Sequence, residues 1–237
     1  EPDDEPLDAF LSRAGEHLRA WQDADWAERY RRRVRAVAAR EQAGGGDGRF
    51  TATVARSLLR LMSPKDEYEV ARLITNGSLQ RALEAQFEGD LRLEFAFAPA
   101  FLSRAKNGQR PAKRRFGPWV LPLLRLLARG RALRGGWADP LRFGAEARLS
   151  RALLAAYEAR LDDLLGALAA DRLPLATQIA ALPQSVRGYG PVKEEAAARM
   201  HTREVELLHR WDPTRFPAPP RAAQAGQFRG IAVTAVR

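Results

Sequence analysis

Leucine and tyrosine recur at positions 149, 153, 157, 161, 164 and 168, a spacing of three or four residues sustained for about five helical turns. Such a period closes on one face of an α-helix, whereas a strand alternates its side chains and would scatter the same residues over both faces. Residues 145–170 are therefore expected to form a long amphipathic helix. Its apolar stripe needs other elements packed against it, and that requirement governs the reading of the rest of the chain.

Further stripes of the same kind supply those elements. Residues 7–40 read as one long helix or two in tandem, with Leu11, Ala14, Leu18 and Trp21 on one stripe and Trp26, Tyr30, Val34 and Val37 on the next. The glycine run at 44–48 ends them. In residues 54–73, VARSLLRLMSPKDEYEVARL, two apolar-striped helices meet at Ser63-Pro64. Ser63 is expected to cap the second of them, with Pro64 at its first position and Asp66 three residues after the cap. Val54, Leu58, Leu61 and Met62 share one face of the first; Tyr68, Ala71 and Ile74 share one face of the second. The charged run Lys65, Asp66, Glu67, Glu69 and Arg72 is expected to be a solvated face carrying short-range ion pairs, or to pair internally.

Ser78 is expected to cap a short helix carrying Leu79, Leu83 and Phe87, and the clearest strand pattern in the chain comes next. Leu91, Leu93, Phe95 and Phe97 alternate with Arg92, Glu94 and Ala96. Residues 91–97 and 112–116 are expected to pair as a small two-stranded ribbon. Next, residues 119–133 begin after Phe116-Gly117-Pro118 and are apolar enough to be expected as a buried helix, with Phe116 and Trp119 as core anchors. Helices at 174–182 and 192–211 complete a mainly α fold. We expect one helical domain over 1–211 and a proline-rich extended tail over 212–237.

Composition limits the chemistry. The 237 residues contain no cysteine, which excludes disulfides, thiolate zinc sites and cysteine-ligated iron–sulfur clusters within these residues. No apolar run approaches the roughly 20 residues that cross a bilayer, and the acidic start EPDDEP is unlike a secretory leader, so a cytoplasmic protein without membrane contact is expected. The formal charge is +10, and only four of the 39 basic residues are lysine. Most arginines stand among Asp and Glu at helical spacing, as on an ordinary solvated helix. The exception is residues 104–115, where Arg104, Lys106, Arg110, Lys113, Arg114 and Arg115 occur with no acidic residue. This is the candidate docking patch, able to meet an acidic protein, a phosphate or a nucleic-acid backbone. A second basic run, 29–35, spreads around its helix, which disfavours nucleic-acid recognition.

Other constellations do not assemble. Gly46-Asp47-Gly48 with Asn76 echoes the way thiamine-diphosphate enzymes hold magnesium and diphosphate, but here a helix ends in the glycine run and Gly77 follows Asn76, so the echo is read as accidental. His201 and His209 sit on one helix at a spacing that does not converge, and His17 is remote in sequence. Asp162-Asp163 and Glu194-Glu195 are neighbours that point apart. No GxSxG, P-loop or GxGxxG pattern is present. We assign no catalytic, cofactor-binding or metal-binding residue.

Six blocks, YRRRV, TVARSLLRLMSPKDEYEVARL, AQFEGDLRLEFAFAPAFL, KRRFGPWVLPLLRLLARGRALRG, SRALLAAYEARL and LPQSVRGYGPVKE, resemble in order and spacing the carboxy-terminal domain of bacterial single-chain indolepyruvate ferredoxin oxidoreductases. The resemblance spans residues 7–211. It implies membership of the 2-oxoacid:ferredoxin oxidoreductase family, in which thiamine diphosphate with magnesium decarboxylates an arylpyruvate. In that family 4Fe-4S clusters pass electrons to ferredoxin, and the acyl group goes to coenzyme A. It further implies that the thiamine-binding and γ-type catalytic domains precede this segment, that the parent is a homo-oligomer, and that this chain is a non-catalytic helical docking module with no cofactor of its own. Ferredoxin is a candidate partner for the 104–115 patch. The alternative expectation is an independent basic helical domain that binds nucleic acid or protein.

Overall fold

The computed structural model describes residues 5–87, 93–97 and 114–218. Among them run nine α-helices: α1 (Leu7–Trp21), α2 (Ala24–Ala43), α3 (Arg49–Met62), α4 (Glu67–Thr75), α5 (Ser78–Glu84), α6 (Val120–Arg129), α7 (Ala145–Gly166), α8 (Leu173–Ala181) and α9 (Pro191–Trp211). Two short strands, β1 (Phe95–Phe97) and β2 (Arg114–Phe116), pair antiparallel with Phe95 opposite Phe116 and Phe97 opposite Arg114. The fold is mainly α with a small ribbon, as the periodicity requires. Among the described residues the ribbon spans Phe95–Phe97 and Arg114–Phe116; the expected positions 91, 92, 112 and 113 lie outside them.

The first stretch is two helices. Their break falls at Gln22-Asp23, where the Asp23 carboxylate accepts the Trp26 N–H at 2.7 Å and caps α2. Stripes from α1, α2, α3, α7, α8 and α9 then converge on one core that includes Leu18, Tyr30, Val34, Leu58, Leu161, Leu164, Ile179 and Leu207. Truncating any of these large side chains to alanine should cost about 2–5 kcal/mol, because the rigid surroundings cannot close the cavity. Tyr30 and Tyr157 reach the same interior and discharge their hydroxyls onto the carbonyls of Ala55 and Ala180.

A second, smaller core forms around Ala71 of α4, Phe95 of β1 and Val120 and Leu124 of α6. A third gathers Val186, Ala196 and Ala197 with Leu149, Leu153 and Met200. The long α7 stripe is thus divided: its first turns face this third cluster and its later turns the main core.

The glycine run between α2 and α3 is organised by a buried carboxylate. Glu41 is 2 % exposed, and it accepts the N–H groups of Gly48, Phe50 and Thr51 and the Thr51 hydroxyl at 2.5–3.1 Å. It serves as a remote cap for the start of α3, whose own preceding residue, Gly48, has no side chain to do so. A Cβ at Gly46 would lie 2.2 Å from Glu41 Cγ, so the turn closes only over glycine.

The α3–α4 joint departs from expectation. Ser63 ends α3, donating its hydroxyl to the Leu59 carbonyl, and the cap of α4 is Asp66, which accepts the Glu69 N–H at 2.8 Å. Pro64 disfavours helical backbone at Ser63. Moreover, the carbonyls of Met62 and Pro64 are taken by the indole N–H groups of Trp26 and Trp21. The connector is therefore held extended, and the helix starts three residues later. Beyond α9, Asp212 caps a turn through Thr214 and Arg215, and Phe216 packs on the main core. The first part of the expected tail is docked.

Candidate functional site

The docking patch deduced from the sequence lies largely outside the described residues: Arg104, Lys106, Arg110 and Lys113 fall there. Arg114 and Arg115 are on β2, and Arg115 is exposed and 3.8 Å from Glu94 across the ribbon. A concavity lined by described residues lies elsewhere and has a different origin.

A cleft of about 610 Å³ opens where α1, the end of α3, the α3–α4 connector, the start of α7 and the loop before α9 meet. From α1 come Arg13 and His17, one turn apart, and from α3 come Arg56 and Arg60, also one turn apart. The connector adds Lys65, placed by the tryptophan bonds that hold it extended. The opposite wall is the loop 183–189 with Arg187 and Tyr189, followed by Lys193 in the first turn of α9.

The loop is built rigidly. Gln184 donates to Ser57 Oγ at 3.1 Å, tying it to α3. Glu146, at the start of α7, accepts the Gly190 N–H at 3.0 Å and Lys193 Nζ at 2.6 Å, and Lys193 also donates to Ser150 Oγ at 2.7 Å. Gly188 has φ +95°, and a Cβ there would sit 2.6 Å from Val192 Cγ1, so the chain can double back onto α9 only through glycine. Arg187 and Tyr189, on either side of it, are left exposed on the cleft wall.

Six Arg and Lys side chains line this space against two carboxylates, and both carboxylates are engaged. Glu69, 4 % exposed, receives Arg72 through two bonds of 2.7 and 2.8 Å. Glu146 receives Lys193. Among the described residues, no ion pair is made by Arg56, Lys65 or Arg187. Desolvation holds His17 below the ordinary imidazole value, so it is neutral at pH 7, and desolvation raises Tyr189, whose phenol keeps its proton. The lining thus offers positive charge and hydrogen-bond donors over a floor of Leu59, Leu61, Pro183 and Val186. That combination suits an anion.

Of the two readings of the charged run at 65–72, internal pairing holds, and Lys65 alone of the five is exposed. Asp66 and Glu69 pair with Arg134 and Arg72, and Glu69 is buried. The expected burial of α6 also fails on one side. Val120 and Leu124 enter the second core, but Trp119, Leu123 and Leu126 are 67 %, 53 % and 65 % exposed. They share a face at i, i+4 and i+7. Phe116 packs on the second core and meets the Trp119 ring edge to face at 5.9 Å, so Trp119 is a surface residue and no core anchor. A shallower depression of about 520 Å³ beside α6 is lined by Arg72, Arg125, Arg129 and Arg131.

The thiamine-like echo has other employment. Asp47 pairs with the exposed Arg49, and Asn76 accepts the N–H and hydroxyl of Ser78 at 3.0 and 2.6 Å. His201 lies 3.4 Å from Glu204, and His209 contacts the Phe216 carbonyl at 2.9 Å. Among the described residues, no three His, Asp or Glu side chains group to hold a metal, and no helix is long and apolar enough to cross a membrane. Sequence reasoning missed the cleft because its cations come from five separate segments, each unremarkable alone.

Residues 7–206 match a family of unknown function, DUF6537, and the chain belongs to that family. No curated protein and no solved structure matches it.

Proposed function

We propose that this DUF6537 chain is a helical companion module of a cytoplasmic indolepyruvate-type 2-oxoacid:ferredoxin oxidoreductase. It docks against thiamine-binding and γ-type domains that carry the thiamine diphosphate, the magnesium and the 4Fe-4S clusters. Decarboxylation and electron transfer belong to those domains in this reading, and the present residues supply packing surface.

The observation that carries the proposal is the uncovered face of α6, Trp119, Leu123 and Leu126, flanked by Arg125 and Arg129. An apolar stripe with a basic border is what a body that packs on another polypeptide presents. The face lies within KRRFGPWVLPLLRLLARGRALRG, one of the six blocks that resemble the oxidoreductase. The arginines of the 29–35 run disfavour nucleic-acid binding, since Arg29 and Arg33 are paired with Glu158 and Asp162.

Co-expression tests this. The chain should co-elute with the thiamine-binding and γ-type domains, and the assembly should reduce a dye acceptor with indolepyruvate and coenzyme A while the isolated chain does not. Failure to co-elute, or turnover by the isolated chain, would overturn the reading. Filter binding to DNA or RNA with a linear log–log salt dependence would favour an independent nucleic-acid binder instead.

A further inference from the structure

We propose that the 610 Å³ cleft binds a phosphate-bearing small molecule, its phosphates held by Arg56, Lys65 and Arg187 and its planar portion lying against Tyr189. This goes beyond the companion role and does not depend on it.

The charge count sets the ligand class. Glu69 and Glu146 are occupied by Arg72 and Lys193, while Arg56, Lys65 and Arg187 make no ion pair among the described residues. Three cations lining one cleft match a group carrying two or more negative charges, and a monocarboxylate would leave the excess unanswered. Guanidinium forks bind phosphate oxygens in pairs, and a lysine beside them acts as a point charge. The cleft floor is apolar, and Tyr189, 52 % exposed, offers an aromatic face. The volume falls in the range of roughly 300–1,000 Å³ typical of small-molecule sites.

Geometry also separates a small ligand from a polymer. A nucleic acid needs a stripe of cations running along a surface. Here the cations are gathered around one concavity, and arginines elsewhere on the helices are consumed in pairs such as Arg29–Glu158, Arg33–Asp162 and Arg160–Asp163. The walls are fixed before any ligand arrives, through Gln184–Ser57 and the Glu146–Lys193–Ser150 cluster. Walls fixed in advance need no reordering of the backbone on binding.

Isothermal titration calorimetry on the full chain, with ATP, inorganic pyrophosphate, adenosine and indole-3-acetate as probes, tests the assignment. ATP and pyrophosphate should bind, ATP the tighter, with affinity falling as salt rises. Adenosine and indole-3-acetate should give no measurable heat. Because charge-assisted bonds are lost, Lys65→Ala with Arg187→Ala should weaken ATP by about tenfold or more. Both side chains are exposed, so the melting temperature should hold. Tyr189→Ala should narrow the gap between ATP and pyrophosphate, and Arg29→Gln, on another surface, should change nothing. The proposal fails if neither phosphate probe binds, if adenosine binds as well as ATP, or if the double variant keeps its affinity. It fails equally if a single-stranded oligonucleotide binds tighter than ATP with a steep salt slope, which would mark a polymer surface.

Discussion

Asp139 is 4 % exposed in a stretch with no regular structure, and it accepts the Gly135 and Leu141 N–H groups and the Tyr68 hydroxyl at 2.8–2.9 Å. Burial alone would raise its pKa. The Gly135, Tyr68 and Leu141 bonds, with the charge of Arg134, more than reverse that and hold the carboxyl below its ordinary value. Burial, followed by the bond to Asp139, raises Tyr68, so the phenol stays a donor throughout the neutral range. A depressed folded pKa fixes the sign of the pH dependence. The stabilisation is fully present above the unfolded carboxylate value of roughly 4 and is lost as pH falls through the folded value. Asp139→Asn should therefore cost about 1–3 kcal/mol at pH 7, because its amide would face the Gly135 N–H donor to donor. Urea melts from pH 7 to pH 3 should show the difference between wild type and variant shrinking at the acid end. A difference constant with pH would mean that the ionised carboxyl does not act as the cap of this loop.

At the scale of the element, α6 divides its residues between two duties. Leu124, 7 % exposed, packs with Ala71 and Phe95, and Leu124→Ala should cost about 2–4 kcal/mol in chemical denaturation. Leu123 and Leu126 are exposed, so Leu123→Glu with Leu126→Glu should leave the isolated chain within about 0.5 kcal/mol of wild type and abolish co-elution with the catalytic domains. A large loss of stability from the glutamate pair would show that the face is internal. This division marks the limit of what the sequence could tell. Period 3.6 located every long helix, and the alternation at 91–97 located the ribbon, because both patterns follow from backbone geometry. An apolar run such as VLPLLRLL has hydrophobic residues all round, so its sequence cannot say which side the chain itself covers. Cap positions were equally hidden. Ser63 has the right chemistry for a cap, yet the bonds from Trp21 and Trp26 to the connector, made across about 40 residues of chain, moved the start of α4 to Asp66. Glu41 reads locally as one more helix-surface carboxylate, and only the turn at 44–48 folds the α3 start onto it. The cleft was invisible for the same reason, since its cations come together only once the helices have packed.

For the whole molecule, the decisive fact is that the main core and the α4–α6 core are separate clusters, with polar anchors among the described residues running between their elements. Arg134 is one of these. Its side chain is 8 % exposed, forks onto Asp66 at 2.6 and 2.9 Å, donates to the Trp21 carbonyl and lies over the Trp21 ring at 3.7 Å. One guanidinium thus binds the end of α1 in the main core to the cap of α4 in the smaller one. Removing one partner of a largely buried pair costs more than the pair contributes, because the remaining charge stays desolvated; losses of about 3–5 kcal/mol are usual. Arg134→Ala should deliver that cost unevenly. The α4 and α6 amides should exchange hydrogen faster, while those of α2, α3 and α7, buried together in the main core, should keep their protection. Because Lys65 sits on the connector next to Asp66, the same variant should also weaken ATP in the cleft, although Arg134 does not line it. Uniform acceleration of exchange across all helices would instead mean that the two cores unfold as one unit. In that case Arg134 would contribute to global stability without coupling one core to the other.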